Sequence, residues 1–220
     1  MTRGLLLDLG NVLVRFDHGR TLERLHAATG APEEVLGGAL FGELEASFDR
    51  GELSPEAFFR QAERRAGIPR LPDEVWVASW RDIFTPEPAA LALLGRLAHG
   101  VRTALVSNTN VLHWEGVKRV CDVHRRVDVL SLSFEVGACK PDPALLRHAL
   151  RSLGVGPSEA VYADDRAELV EAARRDPGVD AFVVSSPEGL REGLELRGLL
   201  RPREATGKLR VQDPGAGPAG

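Results

Sequence analysis

Six polar residues sit where apolar runs give out. Asp8 follows Leu5-Leu6-Leu7 and is followed in turn by Gly10-Asn11, Ser107-Asn108 follow Ala104 to Val106, and Asp164-Asp165 follow Val161 to Ala163. Lys140 lies in Cys139-Lys140-Pro141, in the loop after Val127 to Ser133. Each has an ordinary structural use when taken alone: Asp8 as a turn former, Ser107 and Asn108 as a helix cap, Lys140 as a solvated charge, and Asp164 with Asp165 as an N-cap pair. Together they place three carboxylates, one hydroxyl and one ammonium in one pocket. Adjacent carboxylates beside a third repel unless a cation neutralises them, and hard oxygen ligands in that number suit Mg2+. A divalent ion and a lysine attract phosphate oxygens, a serine hydroxyl and backbone N–H groups hold another, and an in-line carboxylate can attack phosphorus. The set predicts phosphoryl transfer. No GxxxxGK[ST] segment occurs, which argues against a nucleotide triphosphatase of the Walker type.

Such a site needs a parallel sheet, whose ligands bind beyond the carboxyl ends of its strands near the point where strand order reverses. The apolar periodicity supplies one. Strands are expected at 5–7, 102–106, 127–132, 160–163 and 181–184, alternating with helices at 89–98, after Asn110, and at 142–153, 166–175 and 188–199. Strands alternating with helices imply an α/β, Rossmann-like parallel sheet with helices on both faces. Between the first strand and the rest lies a helical block without one convincing strand, with helices at 21–28, 32–48, 54–66 and 72–84 separated by breakers such as Gly67-Ile68-Pro69. The expected organisation is a core domain of 1–15 and 87–200, a helical insertion at 16–86, and a flexible Pro/Gly-rich tail at 201–220.

Composition limits the partners. The chain has 220 residues, 43% of them hydrophobic, and a formal net charge of −4 from 28 basic and 32 acidic residues mixed along its length. That pattern predicts no nucleic-acid partner and no anionic-membrane partner. No stretch reaches the roughly 18 apolar residues of a membrane span, and the start carries no leader cleavage pattern. A soluble, cytoplasmic protein is expected, with Cys121 and Cys139 as reduced thiols. Cys121-x-x-His124 is a weak zinc spacing, and no histidine pair shows ligand spacing on one helix face. Trp76 and Trp80, four apart, are expected to pack within the block. His113, five residues past Asn108, is the best histidine candidate for touching a substrate, with a surface position as its alternative.

The four polar points also resemble a known family. LLLDLGNVLV, LVSNTN, ACKPDP and VYADDRAELVEAAR are similar to the four motifs of the haloacid dehalogenase-like hydrolases, over roughly residues 4 to 200. The spacings agree, with 99 residues from Asp8 to Ser107, 33 to Lys140 and 24 to Asp164. The block at 16–86 resembles the small helical cap inserted after the first strand in that family. DLGNVLV with SNTNVLH resembles its bacterial sugar-phosphate (glucose 1-phosphate) phosphatases. The resemblance implies a phosphatase with Asp8 as a nucleophile that becomes phospho-aspartate and also binds Mg2+. The Gly10 carbonyl, Asp164 and Asp165 would complete the metal site, Ser107 and the backbone of Asn108 would hold the phosphoryl group, and Lys140 would offset the charge of nucleophile and phosphate. A small phosphorylated substrate is the implied partner.

The chain departs from the family in two places. Most phosphatases of the family carry a second aspartate two positions after the nucleophile, as general acid and base; that position is Gly10 here. The leaving group would then be acidic, as in an anomeric phosphate, or protonated by Asp17 or a water. Leu169 stands where the fourth motif often has asparagine, and Glu168 is read either as an outer acid to the metal or as part of a solvated helix face. Two alternative functions follow: a haloacid dehalogenase, with an aspartate nucleophile and no metal, or a catalytically degenerate binding domain.

Overall fold

Leu5 and Leu7 enter one apolar layer and Leu6 another, and all three are removed from solvent. Period-2 alternation requires this of a strand covered on both faces. The computed structural model describes residues 3–201. The strands within them are β1 (Gly4–Leu7), β2 (Val14–Phe16), β3 (Phe84–Pro86), β4 (Arg102–Ser107), β5 (Val129–Leu132), β6 (Ala160–Asp164) and β7 (Asp180–Val183). The helices are α1 (Gly19–Thr29), α2 (Glu33–Leu40), α3 (Glu43–Asp49), α4 (Pro55–Ala66), α5 (Asp73–Arg81), α6 (Pro88–Leu94), α7 (Val111–Val120), α8 (Ser133–Val136), α9 (Pro143–Leu153), α10 (Ala167–Arg175) and α11 (Pro187–Leu196).

Five strands form one parallel sheet in the order β5-β4-β1-β6-β7. The chain steps outward from β1 to β4 and β5, then crosses to the other side for β6 and β7, so strand order reverses beside β1. The carboxyl ends of β1, β4 and β6 therefore share one crevice. Leu145, Ala149, Leu150 and Leu153 of α9 and Val170 and Ala173 of α10 cover the face carrying Leu6, Ala104, Val106 and Tyr162. Trp114 and Val117 of α7 join Leu190 and Leu194 of α11 over the face carrying Leu5, Leu7, Leu105 and Val161. The architecture is the α/β parallel sheet expected, with a small helical cap inserted after its first strand.

The inserted block has an apolar core of its own, in which Leu25, Leu36, Phe48, Phe58, Trp76 and Trp80 are buried and to which α7 contributes Leu112 and, partly buried, Val111. Rings stack inside it, Phe48 on Phe58 and Phe59 on Trp76, which adds geometry to the burial of large apolar side chains. Glu63 is buried there too, its Oε1 accepting from Trp76 Nε1 and from the Leu71 N–H, each at 2.9 Å.

Sequence expectations are corrected in three respects. The block is entered and left through strands: β2 and β3 pair antiparallel, Val14 with Pro86 and Phe16 with Phe84. The helix expected over 32–48 is two helices, because Gly42 adopts φ 88 between α2 and α3, a left-handed conformation that favours glycine. The helices expected over 72–84, 89–98 and 188–199 end earlier, at Arg81, Leu94 and Leu196. Arg201 donates its N–H to Arg96 O, while residues 202–220 of the expected tail lie outside the described residues.

Candidate active site

Asp8 is the first residue past β1, and its N–H still bonds Ala163 O at 2.9 Å, so the ladder with β6 fixes its backbone. A tight loop follows. The N–H groups of Leu13 and Val14 donate to Leu9 O, and Asn11 stands at φ 55, a conformation Asn tolerates better than most residues. Asn11 Nδ2 then reaches Asp165 Oδ2 at 3.1 Å, tying the loop after β1 to the loop after β6.

Lys140 connects three strand ends. Its Nζ donates to Asp8 Oδ1 at 2.6 Å, Asp164 Oδ2 at 2.8 Å and Val106 O at 3.1 Å, which uses all three ammonium donors. The side chain is 3% exposed and that of Asp164 0%, so both charges are stable only because they are paired and hydrogen-bonded. Asn108 holds Lys140 in place through a two-bond clamp, its Oδ1 accepting from the Lys140 N–H at 2.7 Å and its Nδ2 donating to Lys140 O at 3.0 Å. Ser107, buried at the end of β4, has its hydroxyl 3.4 Å from Asn108 O.

Asp164 is anchored further by the Arg166 N–H on Oδ1, at 2.9 Å, and by the Tyr162 hydroxyl on Oδ2. Carboxylate oxygens of Asp8, Asp164 and Asp165 lie within 4.8 Å of one another. Burial pushes the Asp8 carboxyl up to about 6, with Asp164 adding to the rise and Lys140 opposing it. Asp165 is raised as well, chiefly by burial. For Lys140 burial is outweighed by the two aspartates, which hold its pKa above the usual value. The cluster thus lacks positive charge, and its hard oxygen donors fit a small divalent cation.

The structure brings Asp8, Gly10, Ser107, Asn108, Lys140 and Asp165 to the wall of one cavity of about 260 Å³, with Asp164 buried directly behind. His18, Glu45, Asp49, Phe84 and His113 line the same cavity. His113 is buried, not at the surface, and stacks on Trp80 with ring centroids 4.9 Å apart. Burial takes its pKa down to about 3, so its imidazole is neutral. Leu169 is also on the wall, whereas Glu168 is exposed and paired with Arg166, the solvated-face alternative. Asp17 is exposed, and its Oδ1 accepts from the Gly19 N–H. It is not part of the cavity wall. At Gly10 itself the Phe16 ring closes over the backbone: a Cβ there would stand 2.8 Å from Phe16 Cε1.

Sequence reasoning missed Asn11, Tyr162, His18, Glu45 and Asp49. Tyr162 was within reach, since it precedes Asp164 by two and so leaves the same face of the strand. His18, Glu45 and Asp49 depend on how the block sits on the sheet, and no local pattern carries that.

The model of the family described as haloacid dehalogenase-like hydrolase matches residues 2–175. The chain belongs to that family. Among curated proteins it is 27% identical over 196 residues to "Phosphatase MT3486" of Mycobacterium tuberculosis, covering 86% of this chain and 90% of that one. It is 33% identical over 165 residues to a phosphoserine phosphatase of Thermus thermophilus, covering 72% of this chain and 61% of that one. Among solved structures, a HAD family enzyme from Bacteroides thetaiotaomicron in complex with magnesium and inorganic phosphate superposes with a TM-score of 0.72 at 25% identity, covering 83% of this chain and 94% of that one. Among the described residues no helix is long and apolar enough to cross a membrane.

Proposed function

We propose that this chain is a magnesium-dependent phosphatase of a small phosphorylated metabolite, a sugar phosphate by its motifs, working through a phospho-aspartate on Asp8. The observation that carries the reading is the buried ammonium of Lys140 shared by Asp8 and Asp164, with Asp165 completing a three-carboxylate cluster. The relatives named as phosphatases support it, as does the structural neighbour holding magnesium and phosphate. We read the block at 16–86 as a cap over a core of 1–15 and 87–200. The two free cysteines suit the cytoplasm.

Asp8, Asp164, Asp165 and the Gly10 carbonyl would hold Mg2+, whose charge lets an anionic phosphoryl group approach a carboxylate nucleophile. Asp8 attacks phosphorus as the ester P–O bond breaks and the alcohol departs, giving the acyl phosphate, and Lys140 keeps the Asp8 carboxylate oriented while offsetting charge. The Ser107 hydroxyl and the Asn108 N–H hold the non-bridging oxygens. Water then attacks the acyl phosphate and releases phosphate. Asp8→Asn is expected to fold and to lose turnover across a panel of sugar, nucleoside and aryl phosphates, and chelation is expected to silence the wild type. Turnover that survives either change overturns the reading; survival of the chelator alone, with hydrolysis of 2-haloacids, establishes the dehalogenase alternative.

A further inference from the structure

We propose that Asp49, on the helical block, is the general acid and base of this reaction, protonating the leaving oxygen and then accepting the proton of the attacking water. This rests on the phosphatase reading above. The carboxylates of the core have other partners: Asp8 and Asp164 hold Lys140, and Asp165 is bonded by Asn11. Gly10 has no side chain, and the space a Cβ would need is taken by Phe16. An unactivated alcohol leaves slowly as an alkoxide, so a proton donor has to come from elsewhere on the cavity wall.

The wall offers four protonatable candidates besides the cluster, namely His18, Glu45, Asp49 and His113. His113 is held neutral by burial, and burial lowers His18 as well, so neither carries an acidic proton near neutral pH. Glu45 has its carboxylate 3.7 Å from His18 Nε2, a partner within the block. Asp49 is the candidate tied to the core. Its Oδ1 accepts from Asn110 Nδ2 at 2.8 Å, and Asn110 lies three residues past Ser107. Asn110 cannot turn away, because its Oδ1 caps α7 by accepting the His113 N–H at 3.0 Å. Asp49 and Glu45 both line the adjoining cavity of about 530 Å³ together with Asn108, Cys139 and Lys140, so the bond to Asn110 is what sets Asp49 apart at the place where the phosphate loop meets the block. With one oxygen fixed, the other is left to carry the proton.

The ionisable groups around Asp49 are Glu45 on α3, Arg50 just past its end, His113 on α7 and Cys139 before Lys140. Burial raises the Asp49 carboxyl to about 6, with Asn110 and Arg50 opposing, and raises Glu45 to about 8. An acid near the working pH can both give and regain a proton.

The steps balance. As the Asp8 oxygen bonds phosphorus, the ester P–O bond breaks and the leaving oxygen takes the Asp49 proton, giving a neutral alcohol, an acyl phosphate and an Asp49 carboxylate. Water then bonds phosphorus and gives its proton to Asp49 as the bond from Asp8 to phosphorus breaks, restoring the Asp8 carboxylate and the protonated Asp49 and releasing phosphate.

The test is leaving-group dependence, measured for wild type, Asp49→Asn, Asp49→Glu and Glu45→Gln with p-nitrophenyl phosphate and a series of alkyl and sugar phosphates. Asp49→Asn is expected to lose about 10²–10⁴-fold in kcat on alkyl esters and far less on p-nitrophenyl phosphate, whose phenol needs no proton, with Asp49→Glu regaining part of the loss. Equal losses on both ester types, or the steepened dependence appearing in Glu45→Gln instead, overturns the assignment. If Asp49→Asn does not fold, Asn110→Ser, which removes the orienting amide, must show the same steepening at smaller size, and an unchanged dependence overturns the proposal. A wild type inert on every ester, by contrast, overturns the phosphatase reading, and this inference with it.

Discussion

Tyr162 and Asp164 leave the same face of β6, and the phenol donates to the Asp164 oxygen that also accepts from Lys140. Its pKa is raised well above the ordinary value by burial and then by Asp164 and Asp8, so it stays a donor throughout the neutral range. A donor behind a metal-binding carboxylate fixes the direction of its lone pairs, and loss of such a partner costs about 10–100-fold in metal affinity or activity. Tyr162→Phe removes one oxygen from a buried position and leaves the ring packing intact. It should therefore raise the magnesium concentration for half-maximal activity at least about tenfold, with a smaller effect on kcat at saturating magnesium. A magnesium titration of turnover checks this, and an unchanged midpoint would mean that Lys140 and the Arg166 N–H suffice to orient Asp164. The Asn108 clamp on Lys140 follows the same logic one bond further out, since its side-chain amide bonds the Lys140 main chain through both Oδ1 and Nδ2.

Helices α5 and α7 meet at Gly116, where an added Cβ would stand 2.1 Å from Arg81 O and 2.9 Å from Phe84. Main chain cannot rotate away as a side chain can, so Gly116→Ala must part the two helices. Overpacking of that kind costs about 1–3 kcal/mol, and a clash with a carbonyl falls at the upper end. The gain of about 0.8–1 kcal/mol in helix propensity does not cover it. Gly38 on α2 is the matching control, exposed and with nothing within 4 Å of its Cβ position, so there the propensity gain stands alone. Thermal melts should move in opposite directions, down for Gly116→Ala and up for Gly38→Ala; a rise in both would show that the two helices tolerate separation. The same elements show what a sequence can reveal. β1, β4 and β6 are legible because strands buried on both faces read as continuous apolar runs, and each ends abruptly in Asp8, Ser107 or Asp164. β2 and β3 are illegible, being three residues each, VRF and FTP, with a proline in the second and a largely exposed first. Asp49 and Glu45 look like any acidic helix face until Asn110 and the cavity wall are seen beside them.

Formal charge over the whole chain is only −4, yet three carboxylates lie within 4.8 Å of one another at the centre of the sheet edge. One lysine cannot neutralise three acids, so folding without a cation concentrates repulsion where β1, β4 and β6 converge. A cation that binds the folded chain and not the unfolded one stabilises it by mass action, by about 2.7 kcal/mol at one hundred times its Kd. For a domain of 150–250 residues each kcal/mol moves Tm by about 2–4 °C. Saturating magnesium should accordingly raise Tm by about 5–10 °C, an effect that requires neither substrate nor turnover. Asp165 supplies the internal check because it is the most exposed of the three and holds no lysine. Asp165→Ala should raise the metal-free Tm slightly, by relieving repulsion, and cancel most of the magnesium increment. Calorimetric scans with and without magnesium separate the two signs. A full increment retained in Asp165→Ala would put the cation elsewhere on the molecule and remove the electrostatic reason for these acids to converge.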